Sequence, residues 1–179
     1  MHKALFAATV TLALLSACKP APEQANAANS GANAAVENAA VPVSAPVGKE
    51  EAAKIMHERH EGMEKIGKSM KALGREMMAG TSDLATVRSS AATIADLAPK
   101  ASSWFPAGTG PDVGKTHAKA EIWQKPEEFA AKAKDFQNAA AAFNEAAKAG
   151  DMTQIKARFG DLGKSCKACH DSYRAKHAD

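Results

Sequence analysis

The amino-acid sequence predicts an all-α protein, an antiparallel four-helix bundle that follows an N-terminal leader and linker. Apolar or small residues recur at spacings of three and four in four stretches after residue 48, and strand-like alternation is almost absent. Most connections between these stretches are short, which is typical of antiparallel helical neighbours. Of the 179 residues, roughly 130 remain for the bundle, which is enough for one domain with its own core.

The first two predicted helices cover about 49–79 and 83–98. Gly80 can end the first, Ser82 or Asp83 can cap the second, and Pro99 can stop it. A punctuated crossover loop is expected over 99–125. The predicted inward faces consist of Met56, Met63, Ile66, Met70, Leu73 and Met77 in the first helix and Leu84, Val87, Ala91, Ile94 and Ala98 in the second.

The third predicted helix begins at Pro126, which suits the fixed φ of proline, and has acidic residues in its first turn. Gly150 ends it, and Asp151 can cap the last helix. The predicted inner faces are Phe129, Ala133, Phe136, Ala140, Phe143 and Ala147 in the third helix and Ile155, Phe159, Leu162, Cys166, Cys169 and Tyr173 in the fourth.

The segment Cys166-Lys167-Ala168-Cys169-His170 has the Cys-x-x-Cys-His spacing that attaches a covalent c-type haem. Two thiols must each add to a vinyl group of one porphyrin while the next residue offers an imidazole nitrogen to the iron. On a helix these three side chains stand at i, i+3 and i+4 and therefore project from one face. The motif predicts one covalently attached haem c, with Cys166 and Cys169 as thioethers and His170 as an iron ligand.

Two other interpretations of the cysteine pair have less support. A zinc site would need a second ligand pair at similar spacing, but the only other cysteine is Cys18. A thioredoxin-like redox pair follows a strand in a mixed α/β chain, whereas both flanks here are helical in pattern.

Residues 1–17 have the order of a lipoprotein-type signal peptide, with a short charged start, an apolar run and small residues before Cys18. The run Leu15-Ser16-Ala17-Cys18 resembles a lipobox, which predicts lipidation of Cys18; ordinary cleavage nearby would instead leave a stray thiol. Residues 18–48 are rich in Ala, Asn and Pro and predict a flexible tether. Export agrees with periplasmic haem attachment, so we expect a periplasmic protein anchored by lipid to a bacterial membrane.

Composition argues against two classes of function. The net charge of +3, the 5% aromatic content and the lack of a basic stripe give no support to nucleic-acid binding. Outside the haem motif no paired carboxylates, nucleophile with base, or phosphate loop stand at telling positions, so we expect no enzyme. Cations on the last helix can form either a docking face for an acidic redox partner or an ordinary solvated face, and they are Lys164, Lys167, Arg174 and Lys176.

Residues 49–177 resemble the class II cytochromes c, the cytochrome c′ family. The stretch 159–174 resembles that family's C-terminal haem helix, and Glu121-Ile122-Trp123 before Pro126 resembles the entry to its third helix. The position of the haem motif near the C-terminus also fits this family. The resemblance implies a haem inside a four-helix bundle and a homodimer formed through the first two helices.

The resemblance also bears on the sixth iron ligand. In the family, a first-helix residue four after a frequent arginine faces the other side of the haem, and this pair falls on Arg59 and Met63. The stretch 63–74 resembles the low-spin His/Met branch, the cytochrome c-556 type. The resemblance implies that Met63 is an iron ligand, that Arg59 lies near a haem propionate and that Arg174 lies beside His170. A core methionine and solvated surface arginines are the alternatives.

Two functions follow from these expectations. The first is electron transfer by a membrane-tethered periplasmic cytochrome, with both axial positions of the iron filled by His170 and Met63 and with redox proteins as partners. The second is a five-coordinate cytochrome c′ that binds nitric oxide or carbon monoxide at an open position.

Overall fold

The computed structural model describes residues 47–79 and 81–176. The predicted signal peptide, Cys18, most of the tether, Gly80 and His177 lie outside the described residues. The described chain forms helices α1 Lys49–Met78, α2 Leu84–Leu97, a 3-10 helix Ala98–Trp104, α3 Glu121–Gln124, α4 Pro126–Ala149 and α5 Met152–Tyr173. No helix of this part is both long enough and apolar enough to cross a membrane.

The four long helices form a four-helix bundle, as the sequence predicts. Helix α1 packs on α2, α2 packs on α4, and α4 packs on α5. Within the described residues, α1 and α5 are not a closely packed pair, and a cavity separates them. The bundle is therefore closed on three sides and open on the fourth.

The helix ends follow the predicted capping residues. The carboxylate of Asp83 accepts hydrogen bonds from the backbone N–H groups of Ala85 and Thr86, at 3.0 and 3.2 Å. The carboxylate of Asp151 does the same for Thr153 at 2.8 Å at the start of α5. Gly150 has φ = 81°, a conformation that costs glycine little and lets α4 end in a tight turn before α5.

The predicted inner faces are confirmed most fully in α4, where all six positions are buried. In α2, Val87, Ala91 and Ile94 are buried, and Ala98 just after it is buried as well. In α1 only Ile66 and Leu73 of the six predicted positions are buried, because the four methionines are half-buried. In α5, Ile155, Leu162 and Tyr173 are buried, and the remaining three positions are half-buried.

The predicted crossover loop over 99–125 is wrong at both ends, where the structure is helical. Helix α2 nevertheless ends at Leu97, just before Pro99, as predicted. The chain continues as the 3-10 helix, and Pro99 lies in its first turn, where the fixed φ and missing N–H are tolerated. That helix brings Trp104, which is 8% exposed, against Gly62 of α1. At the other end, Glu121-Ile122-Trp123 form part of the separate short helix α3.

The crossover loop, defined here as residues 105–120, is tied to the end of α5. Ala118 and Arg174 form an isolated antiparallel β-bridge. The N–H of Lys119 donates to the carbonyl of Tyr173 at 2.9 Å, and the N–H of Ala175 donates to the carbonyl of His117 at 2.7 Å. The loop is thereby held across the open side of the bundle.

Candidate functional site

A cavity of about 1180 Å³ lies between α1 and α5. This volume exceeds the roughly 300–1,000 Å³ of pockets for drug-sized ligands. Its walls are mostly apolar and come from α1, the crossover loop, α4 and α5. The lining residues that bear on its chemistry are Arg59, Met63, Ile66, Gly67, Met70, Phe105, Phe129, Phe136, Gly163, Cys166, Cys169, His170, Tyr173 and Arg174.

The α5 wall carries all three residues of the predicted haem motif. Cys166, Cys169 and His170 line the cavity together, as expected for positions i, i+3 and i+4 on one helix. Both thiols are free and half-buried. Burial raises the pKa of each thiol, so at neutral pH both are protonated.

His170 faces the open cavity, and more than a third of its surface is exposed. Enough protein surrounds the ring for desolvation to lower its pKa; the Arg174 cation lowers the pKa further, while Asp171 opposes the change. At neutral pH the imidazole is therefore neutral and retains a nitrogen lone pair. This is the form that can bind a metal ion.

The α1 wall presents thioethers and an aliphatic side chain to the same cavity. Met63 is half-buried, lines the cavity and packs against the main core, while Ile66 beside it is buried. Met56 and Met70, two turns to either side of Met63, also line the cavity and are also half-buried. The fold thus brings Met63 to the cavity that contains Cys166 and His170, but its position along α1 does not by itself distinguish it from the other two methionines.

Two glycines show that both walls leave room for a flat group. A Cβ atom added to Gly67 on α1 or to Gly163 on α5 would meet no heavy atom within 4 Å, although both residues line the cavity. A wide, apolar space with two thiols and an imidazole on one wall fits a covalently attached porphyrin.

An aromatic cluster closes one end of the cavity. The rings of Phe105 and Phe129 pack edge to face with centroids 4.9 Å apart, and those of Phe129 and Tyr173 do so at 5.3 Å. Cys169 packs against the same group, whereas Cys166 packs against the main core. The two thiols are therefore held by different parts of the apolar interior.

Arg59 is not a solvated surface residue, because it is only 5% exposed. Its Nη1 donates to the carbonyl oxygens of Trp104 at 3.3 Å and Thr109 at 3.1 Å, and its Nη2 donates to Thr109 O at 3.1 Å and Thr116 Oγ1 at 2.9 Å. The guanidinium carbon also lies 4.8 Å from the ring centroid of Phe105. Burial lowers the pKa of Arg59 to about 10, so it stays charged at neutral pH.

Arg59 therefore fastens the crossover loop to α1, a role that the sequence did not indicate. Its acceptors lie 45 to 57 residues away and are all carbonyl or hydroxyl oxygens, so the sequence around Arg59 gives no sign of them. Arg59 also lines the cavity, so its predicted place near a haem propionate stays a prediction.

The cations predicted on the last helix differ in their surroundings. Arg174 is exposed and lines the cavity. By contrast, Lys164 pairs with Asp161 at 3.3 Å and Lys167 pairs with Asp171 at 2.5 Å on the outer surface of α5.

A family model described as cytochrome c′ matches residues 54–174. The chain belongs to the cytochrome c′ family. This match includes α1 from its first turns and ends at Arg174, just after the haem motif. Members of the family bind one covalent c-type haem, and the two cysteines that this requires are present. This cytochrome c′ family member therefore binds one haem c.

One relative and two solved structures illustrate the likeness. The chain is 38% identical to cytochrome c′ of Alcaligenes xylosoxydans xylosoxydans over 94 residues, which cover 52% of this chain and 71% of that protein. A solved cytochrome c′ described as having a ligand-controlled dimer dissociation is 31% identical, with a TM-score of 0.65 over 74% of this chain and 100% of that chain. The nitric oxide complex of a cytochrome c prime variant from Alcaligenes xylosoxidans is 29% identical, with a TM-score of 0.62 over 73% of this chain and 99% of that chain.

The likeness establishes the family and the four-helix-bundle fold. Other curated cytochromes c′ are matched over about half of their own length, for example 55% and 46%. The relatives give no specific support to the predicted low-spin c-556 branch. The resemblance that the sequence suggested is thus confirmed at the level of the cytochrome c′ family, and the identity of the sixth ligand stays a prediction.

Proposed function

We propose that this protein is a gas-binding cytochrome c′ in which His170 holds the iron from the α5 side and a neutral diatomic gas, nitric oxide or carbon monoxide, binds on the α1 side. The observation that carries the proposal is the open, apolar α1 wall at Gly67. A likeness to a cytochrome c′ with bound nitric oxide supports it. Members of this family are haem proteins that are not typical enzymes, and we propose a binding role rather than catalysis here.

The residues of the α5 wall would hold the cofactor. Cys166 and Cys169 would supply the two thioether links, and the neutral imidazole of His170 would supply a nitrogen ligand to the iron. When bound, the haem iron supplies one-electron redox chemistry and a coordination position for a small ligand. Attachment at two points on a single helix would hold the cofactor against α5.

The apolar stretch of the α1 wall would favour a neutral ligand, while Lys68 and Lys71 of the same helix also line the cavity. Met63, Ile66 and Gly67 offer no hydrogen-bond donor to a bound anion or water molecule, so burial there without a partner is costly for polar ligands. A neutral diatomic gas has little such cost. The space at Gly67, where an added Cβ would meet nothing within 4 Å, leaves room for it.

Electron transfer with His170 and Met63 as axial ligands is the second candidate function. The specific observation in its favour is that Met63 lines the same cavity as the haem motif. A thioether is a suitable iron ligand and raises the reduction potential relative to two histidines. In that case the position open to a gas in the first proposal would be filled by the protein itself.

Visible and EPR spectra of the purified haem protein distinguish the two. We expect a high-spin ferric iron, a ferrous form that binds carbon monoxide, and little change in Met63→Leu. Met70→Leu is the matched control, because Met70 is half-buried and lines the same cavity. A low-spin iron that ignores carbon monoxide, with a sulfur-to-iron charge-transfer band lost in Met63→Leu but kept in Met70→Leu, would replace the first function by the second.

The cellular setting is also part of the proposal. The family consists of bacterial periplasmic proteins, and the signal peptide predicted over 1–17 agrees with this. We propose a lipid anchor at Cys18. Cell fractionation of Cys18→Ser tests it, because the variant should be released from the membrane.

We also propose a homodimer, because the chain resembles a cytochrome c′ with ligand-controlled dimer dissociation. Sedimentation velocity with and without carbon monoxide tests this proposal.

A further inference from the structure

Charge is distributed unevenly around the cavity. Six of its lining residues are cations and one, Glu64, is a carboxylate; the cations are Lys49, Arg59, Lys68, Lys71, Lys115 and Arg174. Glu64 is paired with Lys68 at 3.0 Å. Arg59 of α1 is buried against the crossover loop and is not available to a partner. The remaining four, which we term the cationic rim, are Lys49, Lys71, Lys115 and Arg174.

The cationic rim is exposed to solvent. None of its four members takes part in an ion pair within the described residues, and all four are exposed. Lys49 and Lys71 come from α1, Lys115 from the crossover loop and Arg174 from the end of α5, so they reach the cavity from three elements. Two propionates of a bound haem can balance at most two of these charges.

The outer surface of α5 differs from the cationic rim because its lysines are paired with carboxylates. Lys164 and Lys167, which the sequence offers as part of a basic docking face, are each paired with an aspartate of the same helix. Their fields are largely cancelled at distances beyond the pair. Of these two surfaces, the mouth of the cavity therefore presents the stronger positive field to an approaching partner, and its low-dielectric walls focus that field.

We propose that the cationic rim is the docking surface for the acidic face of a redox partner protein, which exchanges one electron with the haem through the cavity mouth. The inference rests on the proposed function only in that the iron must be reduced to its ferrous form, a requirement that both candidate functions share. Opposite charges around a shared opening steer encounter and set orientation more than they add affinity. The rim would thereby place the partner's redox centre next to the cofactor.

A protein fits this surface better than a membrane does. The four cations surround a concave, apolar opening and come from three separate elements. A membrane-binding surface would instead present its cations along one flat face or one helix side. A convex acidic protein face can contact all four cations at once.

The test uses the full haem protein and two double variants with the same change in net charge. The rim variant carries Lys71→Glu and Lys115→Glu. The matched control carries Lys65→Glu, on the side of α1 turned away from the cavity, and Lys156→Glu near the start of α5; both residues are exposed, and neither lines the cavity. The probe is an acidic flavodoxin, whose hydroquinone gives one electron to the ferric haem and becomes the semiquinone.

Stopped-flow rates are measured from about 0.01 M to about 1 M ionic strength, over which the screening length falls from about 30 Å to about 3 Å. We expect the wild-type rate to fall with salt, the rim variant to be about tenfold slower at low salt and equal at high salt, and the control to stay within about twofold. Oxidised flavodoxin should also shift the backbone NMR signals of α1 near Lys71 and of the loop near Lys115.

Equal slowing of the two variants would show an effect of net charge alone and overturn the proposal. So would NMR shifts that cluster away from the rim. Loss of binding to phosphatidylglycerol vesicles in the rim variant, with flavodoxin rates unchanged, would assign the rim to a membrane surface. Ferric spectra and carbon monoxide affinity are recorded for all three proteins, so a failure of the gas site appears there and leaves the salt dependence interpretable.

Discussion

Two sides of the bundle, the α2–α4 side and the α1–α5 side, differ in how their interior is filled. Where α2 meets α4, the protein fills its own interior, and Val87, Ala91, Ile94 and Phe143 are completely buried. Between α1 and α5 no such layer exists in the described chain, and a cavity of about 1180 Å³ is lined by half-buried side chains such as Met63 and Cys166. On the first side the sequence supplies the core, and on the second the cofactor has to supply it.

This difference changes what each helix must do. Full burial of one large apolar side chain stabilises the fold by about 1.5–3 kcal/mol, and α2 and α4 gain this at several positions. Helices α1 and α5 leave part of that gain unrealised until a large apolar group fills the space between them. Cofactor binding and folding should therefore be coupled on the open side and nearly independent on the closed side.

The largest expected effect comes from removal of the covalent links. The double change Cys166→Ser with Cys169→Ser should abolish covalent attachment completely, because no thiol remains on α5 to bond the porphyrin. The pigment should then be lost on acid-acetone extraction. Hydrogen exchange of the haem-free protein should show fast exchange in α1 and α5 and slower exchange in α2 and α4.

The variant Cys18→Ser is the matched control, because it also removes a thiol but leaves the motif intact, and it should keep its pigment. A double variant whose pigment resists extraction would overturn covalent attachment through this motif. Equal protection of all four helices in the haem-free protein would contradict the coupling between cofactor and open side.

The closed side could be predicted from the sequence almost residue by residue. In α2 and in the second half of α4, apolar residues at helical spacing form one stripe, which must face the core. The buried positions of that stripe are Val87, Ala91, Ile94, Ala140, Phe143 and Ala147. The haem motif was predictable for a different reason. Its chemistry needs Cys166, Cys169 and His170 at fixed spacing on one helix, whatever the rest of the fold does.

The open side could be predicted only in part. In α1, Leu73 and Met70 belong to the same predicted inner face, yet one is fully buried and the other lines the cavity. Periodicity shows which residues face inward but not whether a neighbouring helix or a space lies there. The partners of Arg59 and the contact of Trp104 with Gly62 depend on chain segments far apart in sequence, so no local pattern indicated them.

Alanine substitutions at two glycines of α1 test where this helix is tightly packed and where it has free space. A Cβ at Gly62 would lie 2.3 Å from Cη2 of Trp104, so Gly62→Ala must displace the indole and should destabilise the fold by about 1–3 kcal/mol. A Cβ at Gly74 meets nothing within 4 Å, so Gly74→Ala should stabilise the same helix by about 0.5–1 kcal/mol. Urea unfolding of both variants measures the two changes. A stabilising Gly62→Ala would mean that Trp104 does not pack against α1 in solution.

The smallest effect is expected at the N-terminus of α2, on the closed side. Hydrogen bonds from the Thr86 hydroxyl and from the backbone N–H groups of Ala85 and Thr86 hold the pKa of Asp83 below its usual value of 3.8. Because the folded pKa is depressed, the stabilisation from this cap is complete above 3.8 and is lost as the pH falls through the folded value.

The change Asp83→Ala should therefore lower the free energy of unfolding at neutral pH, and its difference from wild type should shrink on acidification to about pH 2. Asp96→Ala is the control on the same helix, because it removes an exposed carboxylate whose ion pair with Lys100, at 3.9 Å, contributes little. Urea titrations at several pH values give both differences. A difference for Asp83→Ala that stays constant with pH would mean that the carboxylate charge does not stabilise the start of α2, and that the cap acts there only as a neutral hydrogen-bond acceptor.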